Sequence, residues 1–108
     1  MKGPPTTSAA ALAWVKVAAK ANRFVPTVHF NQQARARKVE FDSAKAALLR
    51  ARRVEPYPAM PENGGTCWRV FGRGLEGEQL AIGVELFLDA NEEWAILCTV
   101  IDVSNRRR

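Results

Sequence analysis

Two periodicities divide this chain. Up to about residue 50 the apolar residues recur at helical spacing, and beyond about residue 66 they alternate. The first helical stretch can be capped by Ser8 or Thr7. It runs to about Asn22, because Ala9, Ala10, Ala11, Ala13, Ala18, Ala19 and Ala21 favour helix with no Gly or Pro between them. Leu12, Val15 and Ala19 make one apolar stripe that Trp14, Val17 and Ala21 widen, which suits a packed or accessory helix over residues 8–22. Pro26 then breaks the path, and Thr27 or Val28 leads into a second helical region from about His29 to Lys38. A third helix follows with Asp42 as its N-cap, Phe41 folding back onto Ala46 or Ala47, and Ala44, Ala47 and Leu48 buried. Arg50 suits the carboxyl end of that helix and stays open to water or phosphate.

The prolines at 56, 58 and 61 and the pair Gly64-Gly65 mark a loop, after which strands begin. Cys67 to Arg73 reads as a strand with Trp68 and Val70 on one side and Arg69, Phe71 and Arg73 on the other. Leu80, Ile82, Val84 and Leu86 form the most regular period-two run, which predicts a central strand with Ala81, Gly83, Glu85 and Phe87 opposite. Trp94 to Val103 is nearly continuous in apolar character, as for a strand covered on both faces. Arg53 to Tyr57 fits a weaker strand at an edge, where prolines cost least. The expectation is one α+β domain over residues 1–108, its N-terminal helices packed on one face of an antiparallel sheet of three to four strands.

A length of 108 residues with 47% apolar and 25% charged positions supports one real core and argues against wholesale disorder. No apolar run is long enough to span a bilayer, and no clean signal-peptide core is present, so a cytoplasmic, membrane-free protein is expected. Cys67 and Cys98 then read as buried free thiols, and a disulfide would require their strands to be neighbours. One histidine and no CxxC pair leave out the usual zinc ligand set, so no metal and no cofactor are expected. The net charge of +5 is unevenly spread. Residues 20–53 hold nine Lys or Arg against two carboxylates, whereas residues 54–98 hold two arginines against eight. Such polarity steers a phosphate-bearing partner toward one face, and it fits an acidic protein partner equally well. Residues 104–108 read as a basic tail ending in three arginines.

The only histidine, His29, precedes Arg37 by eight residues. On an unbroken helix the two fall roughly 80° apart around the axis and two turns distant, so one ligand can bridge them. A histidine near a helix start equally suits a solvated or capping role.

The order of His29, Arg37, Val39, the Asp42 to Leu48 helix, Tyr57, Trp68-Arg69-Val70-Phe71-Gly72, Leu80-Ala81-Ile82-Gly83-Val84 and Ile96-Leu97-Cys98-Thr99-Val100 resembles the DUF4258 family over residues 27–103. The first helix is then an addition to that core. The resemblance implies the compact helix-plus-antiparallel-sheet fold of RelE-like and barnase-like ribonuclease toxins, including the BrnT-like group. It implies an RNA-directed toxin or mobile-element protein. It places the family's helix histidine on His29, its later arginine on Arg37, its branched aliphatic on Val39, its strand arginine in the Arg69 region and its strand ending on Thr99-Val100. Gln33 stands where the family commonly has arginine, with Arg35 nearby as a partial substitute.

A metal-independent endoribonuclease needs a base for the 2′-hydroxyl, an acid for the leaving 5′-oxygen and cations against the phosphate. His29 suits the base or acid, since its reference pKa lies near about 6.5. Arg37 and Arg69 suit the phosphate clamp, with Arg35, Lys38, Arg73 and Tyr57 as further RNA contacts. Glu85 supplies the second acid-base group if strand register brings it beside His29. It equally suits an ordinary strand residue, and Arg69 and Arg73 equally suit partners of acidic neighbours. The competing class is a non-catalytic module whose basic helical face binds RNA or docks an acidic antitoxin or other protein.

Overall fold

A computed structural model describes residues 3–104 of the chain. The tail Arg106 to Arg108 therefore lies outside the described residues. Helix α1 spans Ser8–Lys20, with Thr7 as its N-cap accepting from the Ala10 N–H at 3.2 Å. It buries Ala11, Trp14, Val15, Ala18 and Ala19, while Val17 of the expected stripe remains exposed. Small alanines let the helix lie close to the sheet, and the Trp14 indole donates to the Trp94 carbonyl at 3.1 Å. The first helix thus shares the one hydrophobic core.

Strand β1, Phe24–Pro26, follows, and then α2, Val28–Ala36, and α3, Phe41–Leu49. Thr27 caps α2 by accepting from Phe30 N–H at 3.1 Å and donates its hydroxyl proton to the Leu97 carbonyl at 3.0 Å. The helix stops at Ala36, before the expected Lys38, because Lys38 takes a left-handed backbone with φ of 57°. In α3 the N-cap is Glu40, with no side-chain cap bond, and Asp42 sits within the first turn. Phe41 stacks on Phe24 at 5.3 Å between ring centroids, so its partner is a neighbouring strand rather than its own helix.

Four further strands follow: β2 at Arg53–Pro56, β3 at Thr66–Arg73, β4 at Gln79–Asp89 and β5 at Glu92–Asp102. Among the described residues the sheet has five strands in the order β1-β5-β4-β3-β2, which corrects the expected three to four. The addition is β1, parallel to β5, with Phe24 opposite Ala95 and Pro26 opposite Leu97. Three residues ending in proline carry no alternation to detect, and their pairing partner lies some seventy residues away. The other pairings are antiparallel. Among the described residues the fold is therefore α+β, with three helices on one face of a mostly antiparallel sheet.

β4 is central, and its Leu80, Ile82, Val84 and Leu86 are fully buried against the helices. Burying such side chains contributes roughly 1.5–3 kcal/mol each, so this alternation sets the register. Gly72 on β3 permits the close approach of α3, since a Cβ there would run into the Ala47 carbonyl. Between Gly83 and Val84 the β4–β5 register shifts: Gly83 pairs with Thr99 and Val84 with Leu97, leaving Cys98 as the bulged residue. Gln33 of α2 reaches this irregularity and accepts from the Val100 N–H at 2.9 Å. That bond gives Gln33 a structural occupation at the position where the resemblance implies arginine.

Candidate functional site

Because the helices cover one face of the sheet, the alternate residues of each strand point to the other. Arg53 lies opposite Phe71, Glu55 opposite Arg69, Arg69 opposite Gly83 and Cys67 opposite Glu85, so these side chains share that uncovered face. Two guanidinium-over-ring pairs form on it. Arg53 lies 4.0 Å from the Phe71 ring centroid and Arg69 lies 4.7 Å from that of Tyr57. The arginine charge rests on the electron-rich ring face, which also presents the flat guanidinium outward.

At the Cys67 end of β3 the face is roofed by the segment 57–65. Tyr57 N–H donates to the Cys67 carbonyl at 3.1 Å, and the chain then rises through exposed prolines and Met60 before returning at Gly65. Glu85 pins the return. Its Oε1 accepts from Glu62 N–H at 3.0 Å and Asn63 Nδ2 at 3.1 Å, and its Oε2 accepts from the N–H groups of Asn63 and Gly65 at 2.9 Å each. Burial alone raises the carboxyl pKa. The hydrogen bonds from the Asn63 side chain and from the backbone of Glu62, Gly65 and Asn63 outweigh burial and hold it below the ordinary value. A buried carboxylate with four donors is a loop anchor and a poor proton donor, which is how the structure occupies the residue expected to assist His29.

Beneath this roof lies a cavity of about 620 Å³, bounded by Thr27 and His29 from the start of α2, by Tyr57, Met60 and Asn63 from the loop, and by Cys67, Glu85, Cys98 and Thr99 from the sheet. Glu85 and His29 thus border one space, with His29 on its exposed rim. Both thiols are free. Their strands flank β4, and two strand spacings of about 4.8 Å exceed the roughly 7 Å that a disulfide can bridge. Burial, then the charges of Cys67, Glu85 and Glu62, pushes the Cys98 thiol up to about 11, and burial with Glu85 raises that of Cys67. The lining is therefore largely apolar and carries two carboxylates, those of Glu85 and Glu62.

At the Arg73 end of β3 a second cavity of about 660 Å³ is lined by Arg50, Arg52, Arg53, Arg73, Phe71 and Gln79, among others. Among the described residues no carboxylate appears in its lining. Arg50, the residue capping α3, is fixed by donating to the Gly74 carbonyl at 3.1 Å, and Arg53 is partly neutralised by Glu55 at 3.2 Å. Arg52 and Arg73 have no carboxylate partner among the described residues.

The expected site residues thus divide. His29, Tyr57 and Glu85 border one cavity, and Arg69 stacks on Tyr57. Arg73 belongs to the other cavity. Arg35, Arg37 and Lys38 lie exposed at the carboxyl end of α2 and border neither. Arg37 is the residue that ends the helix, about 12 Å along the axis from His29. The grouping of Arg52 and Arg53 with Arg73 was not foreseen. Its signal was the run Arg50-Ala51-Arg52-Arg53 at the junction of helix and strand, and only the pairing of Arg53 with Phe71 reveals that it faces the β3 end.

The fold and site define a small α+β domain with one helical face and one arginine- and aromatic-bearing sheet face. Comparison of the chain with protein-family models, with curated proteins and with solved structures gives no match.

Proposed function

We propose that this domain is an RNA-binding module that holds single-stranded RNA on the uncovered face of its sheet. The observation that supports it is the pair of stacked units, Arg53 on Phe71 and Arg69 on Tyr57, side by side on that face. Unpaired bases stack on aromatic rings and on guanidinium planes, while neighbouring arginines neutralise the backbone. Binding should weaken steeply between roughly 50 and 200 mM salt, as counterion release requires. Fluorescence anisotropy with a labelled unstructured RNA tests the reading. The double variant Tyr57→Ala, Phe71→Ala should bind at least about tenfold more weakly, since each stacked base contributes about 1–3 kcal/mol. Unchanged affinity in that variant rejects the proposal.

A second reading, a metal-independent endoribonuclease of RelE-like or barnase-like architecture within the DUF4258 family, draws on His29 and Tyr57 bordering one cavity beside Arg69. In that chemistry His29 takes the proton of the 2′-hydroxyl, the 2′-oxygen attacks phosphorus, and the 5′-oxygen leaves with a proton from a second donor such as Tyr57. The same RNA on a denaturing gel separates the two. Cleavage by the wild type that falls more than about tenfold in His29→Ala favours the enzyme. Binding without cleavage favours the module.

A further inference from the structure

The cleft at the Arg73 end of β3 carries more positive charge than a single internal phosphodiester needs. Arg50, Arg52, Arg53 and Arg73 all border it, Glu55 offsets only Arg53, and the other polar side chain in the described lining, Gln79, is neutral. Its parts are held in place. Arg50 is tied to the Gly74 carbonyl, Arg53 rests on the Phe71 ring, and Gly72 keeps α3 against β3 so that arginines from the helix end and the strand meet. Guanidinium groups match phosphate oxygens in bidentate fashion, and several of them in one cleft match several phosphates. A volume of about 660 Å³ accommodates a nucleotide-sized group.

We propose that this cleft binds a clustered phosphate group, a di- or triphosphate, carried either by a free nucleotide or by the 5′ end of an RNA strand. In the second case the inference rests on the RNA-binding reading. The cleft then holds the end of the strand while Arg53–Phe71 and Arg69–Tyr57 take the bases that follow. From Arg73 to Arg69 the strand offers about 13 Å of track for them.

The test uses the full chain and four probes: inorganic tripolyphosphate, ATP, and one RNA sequence bearing either a 5′-triphosphate or a 5′-hydroxyl. Tripolyphosphate should bind, and the 5′-triphosphate RNA should bind at least about tenfold more tightly than its 5′-hydroxyl counterpart. The double variant Arg52→Ala, Arg73→Ala should abolish tripolyphosphate binding and bring the affinities of the two RNAs to within about threefold of each other. Lys16→Ala, which removes a charge from the exposed side of α1, should leave all four affinities near wild type. ATP binding without preference between the two RNAs assigns the cleft to a free nucleotide. Tripolyphosphate binding with no binding of either RNA upholds the cleft and rejects the RNA face. Equal affinity for the two RNAs together with no binding of tripolyphosphate or ATP overturns the inference, as does a Lys16→Ala loss equal to that of the double variant.

Discussion

At the Cys67 end of β3 the sheet face is roofed by a loop, and its buried carboxylate is saturated by four donors. At the Arg73 end of the same strand, among the described residues, four arginines and no carboxylate line an open cleft. Both ends are built by the same alternation of side chains, yet one spends its polar groups on the fold and the other leaves them available. The difference separates a residue that is chemically suggestive from one that is chemically free. Glu85 has the right type for catalysis but its lone pairs are occupied. Arg52 is unremarkable in sequence and Arg73 stands there only among the further RNA contacts, but neither has a carboxylate partner among the described residues.

The largest effect should come from breaking the roofed end. Glu85→Ala leaves four donors without their acceptor, and a loss of about 2–4 kcal/mol of stability is expected in urea unfolding. Glu85→Gln should cost less, because an amide oxygen still accepts. The same group gives a pH signature. Its folded pKa is depressed, so its contribution is fully present above the ordinary carboxyl value of 4.5 and is lost as pH falls through the folded value. Acid titration of the unfolding midpoint should therefore show wild type losing stability below that value more than Glu85→Gln does. An identical acid profile for the two proteins contradicts the anchor.

Gly72→Ala perturbs the other end of β3. Its new Cβ meets the Ala47 backbone, so about 1–3 kcal/mol should be lost, and the arginine cleft should lose phosphate affinity along with it. Arg69→Ala removes one stacked unit with no effect on the core, and its cost should appear in RNA affinity alone, at about 1 kcal/mol. The smallest change in stability belongs to the thiols. With Cys98 pushed up to about 11, roughly one thiol in a thousand is ionised at pH 8, so its alkylation in the native state should be far slower than in urea.

Much of the architecture was legible because burial leaves a period. The Leu80 to Leu86 alternation, the Trp68 and Val70 side of β3 and the edge position of β2 all follow from side chains that must face the core. β1 was illegible, since a three-residue strand held by a partner seventy residues away has no local signature. The Asp42 cap failed because Glu40 already provides the extended backbone that starts α3. The candidate site was legible by residue type and illegible by arrangement. Tyr57 and Arg69 met because β2 and β3 pair in register, whereas Arg37 fell away once α2 ended at Ala36. Glu85 and His29 reached the same cavity, but the loop that engages Glu85 is aperiodic, and nothing in its sequence announces where its N–H groups point.

If RNA binds the uncovered face of the sheet as proposed, amide chemical shifts report it residue by residue. Titrating the labelled protein with a short single-stranded RNA should shift the resonances of Tyr57, Arg69, Phe71 and Gly83, and those around Arg53 and Arg73, while the α1 resonances from Ser8 to Lys20 stay in place. Shifts concentrated on the helical face, at Arg35, Arg37 and Lys38 with the sheet resonances unmoved, would contradict it.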